Sequence, residues 1–296
     1  MHPEKRCIVP VGHAPANRLS SVSEPATESD MQHERPVVLT IAGHDPGGGA
    51  GQQADIEVIR AMGCHPASVL TCLTIQDTHD VHDVRPVEPS WVRRQAEAVL
   101  ADLPVAVIKI GALGSAAVAN TVADLLGERS PRLPAVLDPV LAASGGGRLS
   151  TDPVAGVLRE RLLPLATIAT PNIPEARELC GAAPDLDSCG RELLALGCEY
   201  ALITGADEGE GDVLNRLYGE GRLLQVERWP RLPGRYHVSD CTLASALAAL
   251  MARGMAPGDA SQEAQRYVWD TLEAGYRPGD GQLLPDRFFW AAEYET

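Results

Sequence analysis

The sequence predicts an α/β fold: a three-layer α/β/α sandwich with a mostly parallel central sheet, helices on both faces, and one small β-hairpin. Three observations carry this. Short apolar runs alternate with helical segments along most of the chain. The runs are continuous, as in Val105-Ala106-Val107-Ile108-Lys109-Ile110, which suits strands buried on both faces. A chain of 296 residues, 45% hydrophobic, is long enough to bury one large core, built mostly from Leu, Val, Ile and Ala because only 4% is aromatic.

In order, Pro36-Val37-Val38-Leu39-Thr40-Ile41-Ala42 is the first strand. Gly43-His44-Asp45-Pro46-Gly47-Gly48-Gly49-Ala50-Gly51 turns it into a helix through Ala54, Val58, Ile59 and Met62. Strand, glycine-rich turn and helix form a layout in which backbone can approach a ligand. The turn is neither a GxGxxG fingerprint nor a Walker A, since no Gly-Lys-Ser/Thr follows. Taken alone, such a cluster is equally well a flexible turn.

Ser68 to Thr74 is the next strand, followed by Ile75-Gln76-Asp77-Thr78. Ser90 opens a helix with Val92, Val99, Leu100 and Leu103 on one face. The strand at 105–111 carries Lys109 near its end, and Ser115 caps a helix reaching Leu126. Residues 135–140 form a strand ending in Asp138-Pro139-Val140. A Gly145-Gly146-Gly147 loop, a helix to Leu163 and a strand at 166–169 follow. That strand runs into Thr170-Pro171-Asn172-Ile173-Pro174-Glu175; another helix and the strand Tyr200 to Gly205 come next. Residues 213–218 and 222–226 flank Gly219-Glu220-Gly221 as a β-hairpin. A helix after Cys241, with Leu243, Ala246, Leu247, Leu250 and Met251 as its apolar stripe and Gly254 as its C-cap, and one from about 257 to 276 complete the fold.

Ligands of such sheets bind at the carboxyl ends of the strands. Asp45, Gln76, Lys109, Asp138, Asn172, Glu175 and Gly205 all fall there. Each alone could be a turn former; together they mark a site.

Composition excludes some functions. A formal net charge of −15 argues against nucleic acid and anionic membranes as partners, and no apolar run approaches the roughly 18 residues of a membrane span. Seven cysteines without a CxxC pair point to reduced thiols and a cytoplasmic location. Residues 1–35, rich in Pro, Ser, Glu and His, lack a signal peptide's apolar core and are expected to be a disordered extension. The folded domain is expected at 36–290, with 291–296 as a tail.

The segment Ala42-Gly43-His44-Asp45-Pro46-Gly47-Gly48-Gly49-Ala50-Gly51-Gln52-Gln53-Ala54-Asp55 closely resembles the opening motif of the hydroxymethylpyrimidine/phosphomethylpyrimidine kinases, thiamine-synthesis enzymes of the ribokinase-like superfamily. Gln76, Lys109-Ile110-Gly111, Leu137-Asp138-Pro139-Val140, Ala143-Ser144-Gly145, Thr170 to Ala176 and Cys241 to Leu247 follow in that family's order, so the resemblance spans roughly residues 37–285. It implies ATP- and Mg²⁺-dependent phosphorylation of an aminopyrimidine or its monophosphate, and a homodimer, since this fold often pairs through its sheet or lid. Gly43, Asp55 and Gln76 resemble residues that hold the pyrimidine, with Asp45 at the same turn and Val140 packing on the ring. Asn172 and Glu175 resemble the pair that organises magnesium around the triphosphate, with Asp138 close to the same ion. Thr204 and Gly205 would lie by the nucleotide with Ser239, and Cys241, Asp240 and Lys109 at the reacting groups. A thiol at a helix N-terminus is expected to have a lowered pKa. The family usually has a Met near Gly111; Ala112-Leu113 here implies a roomier wall.

One stretch departs from the pattern. The family reads His, Gly, Thr or Ser, Gly, Cys, whereas this chain has His237-Val238-Ser239-Asp240-Cys241. Valine resists positive φ, and a carboxylate beside a transferring phosphoryl group is repulsive. Three readings stand: a kinase with an adapted loop in which Asp240 works as base beside or instead of Cys241; a relative that binds pyrimidine without turnover; or a kinase of another small alcohol such as pyridoxal. Ser239 as N-cap with Asp240 in the first helical turn is compatible with any of them.

Overall fold

The structure is a computed structural model that describes residues 35–129, 131–142, 147, 149–181, 183, 185–205, 211–234, 236 and 239–294. Nine strands form one sheet in the order β3-β2-β1-β4-β5-β6-β7-β8-β9. They are β1 (Val37–His44), β2 (His65–Gln76), β3 (Val81–Pro86), β4 (Val105–Ile110), β5 (Ala135–Leu137), β6 (Ile168–Ala169), β7 (Tyr200–Ile203), β8 (Val213–Gly219) and β9 (Arg222–Trp229). Pairing is parallel from β2 through β1, β4, β5 and β6 to β7. Only the two edges, β2–β3 and β7–β8–β9, are antiparallel. The expected sandwich and hairpin are therefore both present.

Two cores lie on the two faces. Val37, Leu39 and Ile41 of β1 point into one, shared with α2 (Pro89–Asp102), α3 (Ala116–Gly127), α5 (Ile173–Cys180) and α6 (Leu186–Ala195). Val38, Val107, Val136, Ile168 and Leu202 point into the other, shared with α1 (Gly51–Ala61), α7 (Ser239–Ala252) and α8 (Pro257–Glu273). The period-2 alternation of each strand thus serves two apolar layers, which is why the strands read as unbroken runs.

Several elements differ from expectation. A strand was missed: β2 extends to Gln76 and turns back as β3, because Asp77 Oδ1 accepts the amides of His79 (2.8 Å) and Asp80 (3.1 Å) in a tight polar turn. The helix attributed to Ser90 begins one residue earlier, with Glu88 as N-cap and Pro89 in the first turn. The segment between β5 and β6 is not one α-helix: Ala155–Val157 (α4) runs into a π turn, Leu158–Leu162, and a 3₁₀ turn, Leu163–Leu165, where Pro164 cannot continue an α ladder. The single helix expected before β7 is two, α5 and α6, divided at Gly181, whose φ is 67°. α8 stops at Glu273, and the boundary expected at 290 falls inside a 3₁₀ turn, Phe289–Tyr294.

The largest correction concerns α7. Its residues from Cys241 to Leu250 are all buried, so the expected apolar stripe is part of a helix enclosed on every side. It packs on β4, β5, α1 and α8. Its C-terminus is a Schellman motif about Gly254, φ 89°: Met255 N–H donates to Leu250 O (3.1 Å) and Gly254 N–H to Met251 O (2.9 Å). A helix enclosed between the sheet, α1 and α8 holds its N-terminal turn fixed at the strand ends.

Candidate active site

A cavity of about 280 Å³ opens at the carboxyl ends of β1, β2 and β5, bounded by the first turns of α5 and α7. Gly43, Asp45, Gln76, Asp138, Val140, Asn172, Glu175, Asp240 and Cys241 line it together, although they are scattered from residue 43 to 241. A parallel sheet brings these strand ends to one edge, which is the physical reason the site assembles there.

The glycine turn is ordered by Asp45. Its carboxylate, 3% exposed, accepts the Gly47 amide at 2.7 Å and the Ala50 amide at 2.8 Å. A Cβ on Gly43 would lie 2.7 Å from the Cys72 sulfur, which would have to shift to admit it. Gly51, φ +57°, opens α1 with no room for a side chain: a Cβ would meet Gly43 O at 2.3 Å. The glycines expected to admit a ligand thus also admit the turn's own backbone.

At the opposite wall, Asn172 and Glu175 form a reciprocal capping box at the start of α5. Asn172 Oδ1 accepts the Glu175 amide and Glu175 Oε2 accepts the Asn172 amide, both at 3.0 Å. Burial pushes the Glu175 carboxyl up to about 9, and the charges of Asp240 and Asp138 add to this. Asp138, also buried, is raised to about 6 by burial, against the pull of Lys109. Neither Asp138 oxygen accepts a hydrogen bond among the described residues.

Lys109 and Asp55 do not line the cavity. Both are completely buried beneath it: Lys109 Nζ donates to Asp55 Oδ1 at 2.8 Å and Oδ2 at 3.0 Å, and lies 4.0 Å from Asp138 Oδ2. Ser245 donates to Asp55 Oδ1 at 2.7 Å and the Thr40 hydroxyl to Oδ2, which completes the carboxylate's shell. Asp55 is thus held in a buried ion pair and is not part of the cavity lining. Desolvation works against the Lys109 charge, but Asp55, Cys241 and Asp138 hold its pKa above the ordinary lysine value.

Cys241 lines the cavity at 5% exposure. Burial pushes its thiol well above the ordinary value; Lys109 opposes this, while Asp138 and Asp55 reinforce it. The lowered pKa expected at a helix N-terminus is overturned, since burial of the thiol, reinforced by Asp138 and Asp55, outweighs the helix end.

Thr204 and Gly205 sit one strand further. Thr204 bridges Asn172, its amide donating to Pro171 O at 3.0 Å. The Gly205 amide donates to Asn215 Oδ1 at 2.9 Å, and a Cβ on Gly205 would lie 1.9 Å from Leu214 O. That contact alone accounts for the glycine. Ser239 is the first residue of α7 and lies outside the cavity lining. His237, Val238 and the Ala143 to Gly146 loop lie outside the described residues. Sequence reasoning missed Cys72 and Glu178 as cavity walls, because neither carries a local signature. All six described cysteines are free thiols. No helix among the described residues is long and apolar enough to cross a membrane.

This sheet order, with its site at the strand ends, is the α/β architecture of the ribokinase-like class. The chain is similar to Bacillus subtilis pyridoxal kinase, solved as an ADP complex, with a TM-score of 0.78 at 25% identity over 87% of this chain and 99% of that one. It is also similar to a phosphomethylpyrimidine kinase from Clostridium difficile 630, with a TM-score of 0.69 and 31% identity over 80% of this chain and 100% of that one. A hydroxymethylpyrimidine/phosphomethylpyrimidine kinase from Streptomyces coelicolor is 39% identical over 261 residues, covering 86% of this chain and 95% of the relative. A family profile described as phosphomethylpyrimidine kinase matches residues 45–286. The chain belongs to the phosphomethylpyrimidine kinase family.

Proposed function

We propose that this protein transfers the terminal phosphoryl group of ATP to 4-amino-5-hydroxymethyl-2-methylpyrimidine, its monophosphate, or both, with Mg²⁺. The observation that carries the reading is the convergence of Asp45, Gln76, Val140, Asn172, Glu175 and Asp240 on one cavity in a chain of this family. Gly43, Gln76 and Val140 form the acceptor wall, and Asp45 fixes the turn beside it. Thr204, Gly205 and Asn172 stand on the nucleotide side. A homodimer and a cytoplasmic location fit the family and the acidic composition.

The donors suit magnesium. Asp138 offers two buried carboxylate oxygens that accept no hydrogen bond among the described residues, and Glu175 a second carboxylate on the same cavity, hard donors of the kind Mg²⁺ selects. Among the described residues no three His, Cys, Asp or Glu enclose a metal, which leaves coordination places to water and phosphate. Asp138 and Glu175 would hold the ion, which when bound neutralises charge developing on the phosphoryl oxygens. Asp240, on the cavity lining and in the first turn of α7, would take the acceptor hydroxyl's proton. Cys241 remains a thiol and serves as a weak donor and packing surface. Lys109 and Asp55 hold the floor beneath Asp138.

The test is ADP release from ATP and Mg²⁺ with the hydroxymethylpyrimidine and then its monophosphate. Turnover on the order of one per second or faster is expected. A pyrimidine that raises Tm without any ADP release would establish a binder instead, and preference for pyridoxal would change the acceptor.

The two raised carboxyl groups also predict a pH dependence. Each binds its proton more tightly folded than unfolded, so the associated stability is fully present below their ordinary values of 3.8 and 4.5. It is lost as pH rises through about 6 for Asp138 and about 9 for Glu175. The metal-free protein should therefore melt at falling temperature across that interval, and millimolar Mg²⁺ should recover more at the alkaline end, where less proton must be displaced. A melting temperature flat in pH and indifferent to Mg²⁺ would refute both assignments.

A further inference from the structure

We infer that Arg287 is a positioning residue for the acceptor side of the site, acting on Asp45 through the Gly49–Ala50 peptide. The inference rests on the kinase reading above. Arg287 lies just beyond the family match, on the segment after α8, and is 3% exposed. Its backbone is pinned: Tyr267 Oη donates to Arg287 O at 2.8 Å, and the preceding Asp286 amide donates to Thr271 O at 2.9 Å. The side chain is delivered from this anchor to three separate parts of the fold. Nε donates to Thr242 Oγ1 at 3.2 Å in the first turns of α7. Nη1 donates to Gly48 O at 3.2 Å and to Glu57 Oε2 at 3.0 Å, and Nη2 donates to Gly49 O.

The last bond is the consequential one. A planar trans peptide sends its N–H away from its C=O. The carbonyl of the Gly49–Ala50 peptide faces Arg287, and its N–H, on Ala50, donates to Asp45 Oδ2 at 2.8 Å. Guanidinium, peptide and carboxylate thus form one polarised chain ending on the cavity wall. Glycines 48 and 49 have no side chains with which to hold the turn themselves, and Gly48 sits at φ +76°. An arginine is suited to the task because its planar fork reaches diverging acceptors at once, which an ammonium cannot.

The experiment uses the full chain and compares wild type with Arg287→Lys, Glu57→Gln, Asp45→Asn and the Arg287→Lys/Asp45→Asn pair. Arg287→Lys is expected to raise the KM for hydroxymethylpyrimidine about tenfold while the KM for ATP stays within roughly twofold. Glu57→Gln, which spares both glycine carbonyls, should leave the acceptor KM unchanged. In the Asp45→Asn background, Arg287→Lys should add roughly nothing, since both act on one chain of bonds. Amide exchange of residues 45–51 should rise in Arg287→Lys more than exchange elsewhere. An unchanged acceptor KM, equal effects on both substrates, or full additivity with Asp45→Asn would overturn the inference, because a merely structural arginine lowers Tm without that selectivity. If wild type phosphorylates no pyrimidine, the kinase reading fails, and amide exchange of 45–51 alone then decides the clamp. Should Arg287→Lys not fold, Thr242→Val, which removes only the Nε anchor, is expected to move the acceptor KM in the same direction, and no movement counts against the clamp.

Discussion

Replacing Lys109 with methionine is expected to destabilise the protein by about 3–5 kcal/mol, the range for breaking a buried ion pair on one side. The reason is the surroundings of Asp55. With Lys109 gone, that fully buried carboxylate keeps only the hydroxyls of Ser245 and Thr40, and it must either take up a proton or stay charged in an apolar layer. Methionine fills the volume, so the loss comes from charge and not from a cavity. A fall in melting temperature on the order of 10 °C is expected for a domain of this size. Adding Asp55→Asn to Lys109→Met should cost less than Asp55→Asn alone, a difference that a double-mutant cycle reads directly. Equal melting temperatures for wild type and Lys109→Met would show that the pair contributes nothing. The Lys109 variant should also lose activity, through Asp138, whose carboxylate lies 4.0 Å away.

That role for Lys109 was not legible in the sequence, and the contrast shows what was. Strands with unbroken apolar runs declared a sheet covered on both faces, and the layers followed. Polar residues at strand ends could be gathered into one site because a parallel sheet has only one edge for them. Depth was another matter. Asp55 bears the same side chain as Asp45, and Lys109 is a charged strand-end residue like the rest, yet both lie off the cavity, and only packing tells them apart. Titration was hidden for the same reason: Cys241 reads as a helix-end thiol in one dimension, while burial raises it and Asp138 after β5 and Asp55 on α1 reinforce this. The β2–β3 hairpin was obscured because β3, Val81-His82-Asp83-Val84-Arg85-Pro86, is a half-exposed edge strand with charges among its apolar residues. Arg287 carried no signal at all, since its acceptors are backbone carbonyls some 239 positions away in sequence.

Asp240→Asn is expected to lower kcat by about 10²–10⁴-fold, the usual contribution of a positioned general base. The alternative for this carboxylate is that it merely repels the transferring phosphoryl group, in which case its removal should speed the reaction. The neighbouring titrations favour the first. Cys241, the other candidate, is held well above its ordinary value by burial and remains protonated at neutral pH. Glu175 is likewise raised, to about 9, by burial and by the charge of Asp240 itself. Asp240 lines the same cavity and is only partly buried. On the proposed reading, Asp240 does what the protonated thiol cannot. Cys241→Ala should accordingly retain activity within roughly tenfold, since it removes only packing and a weak donor. The ordering is the test: a slow Asp240→Asn with an active Cys241→Ala places the base on the aspartate. A faster Asp240→Asn, or a dead Cys241→Ala with unchanged folding, would place the carboxylate among the obstacles and return the chemistry to the thiol.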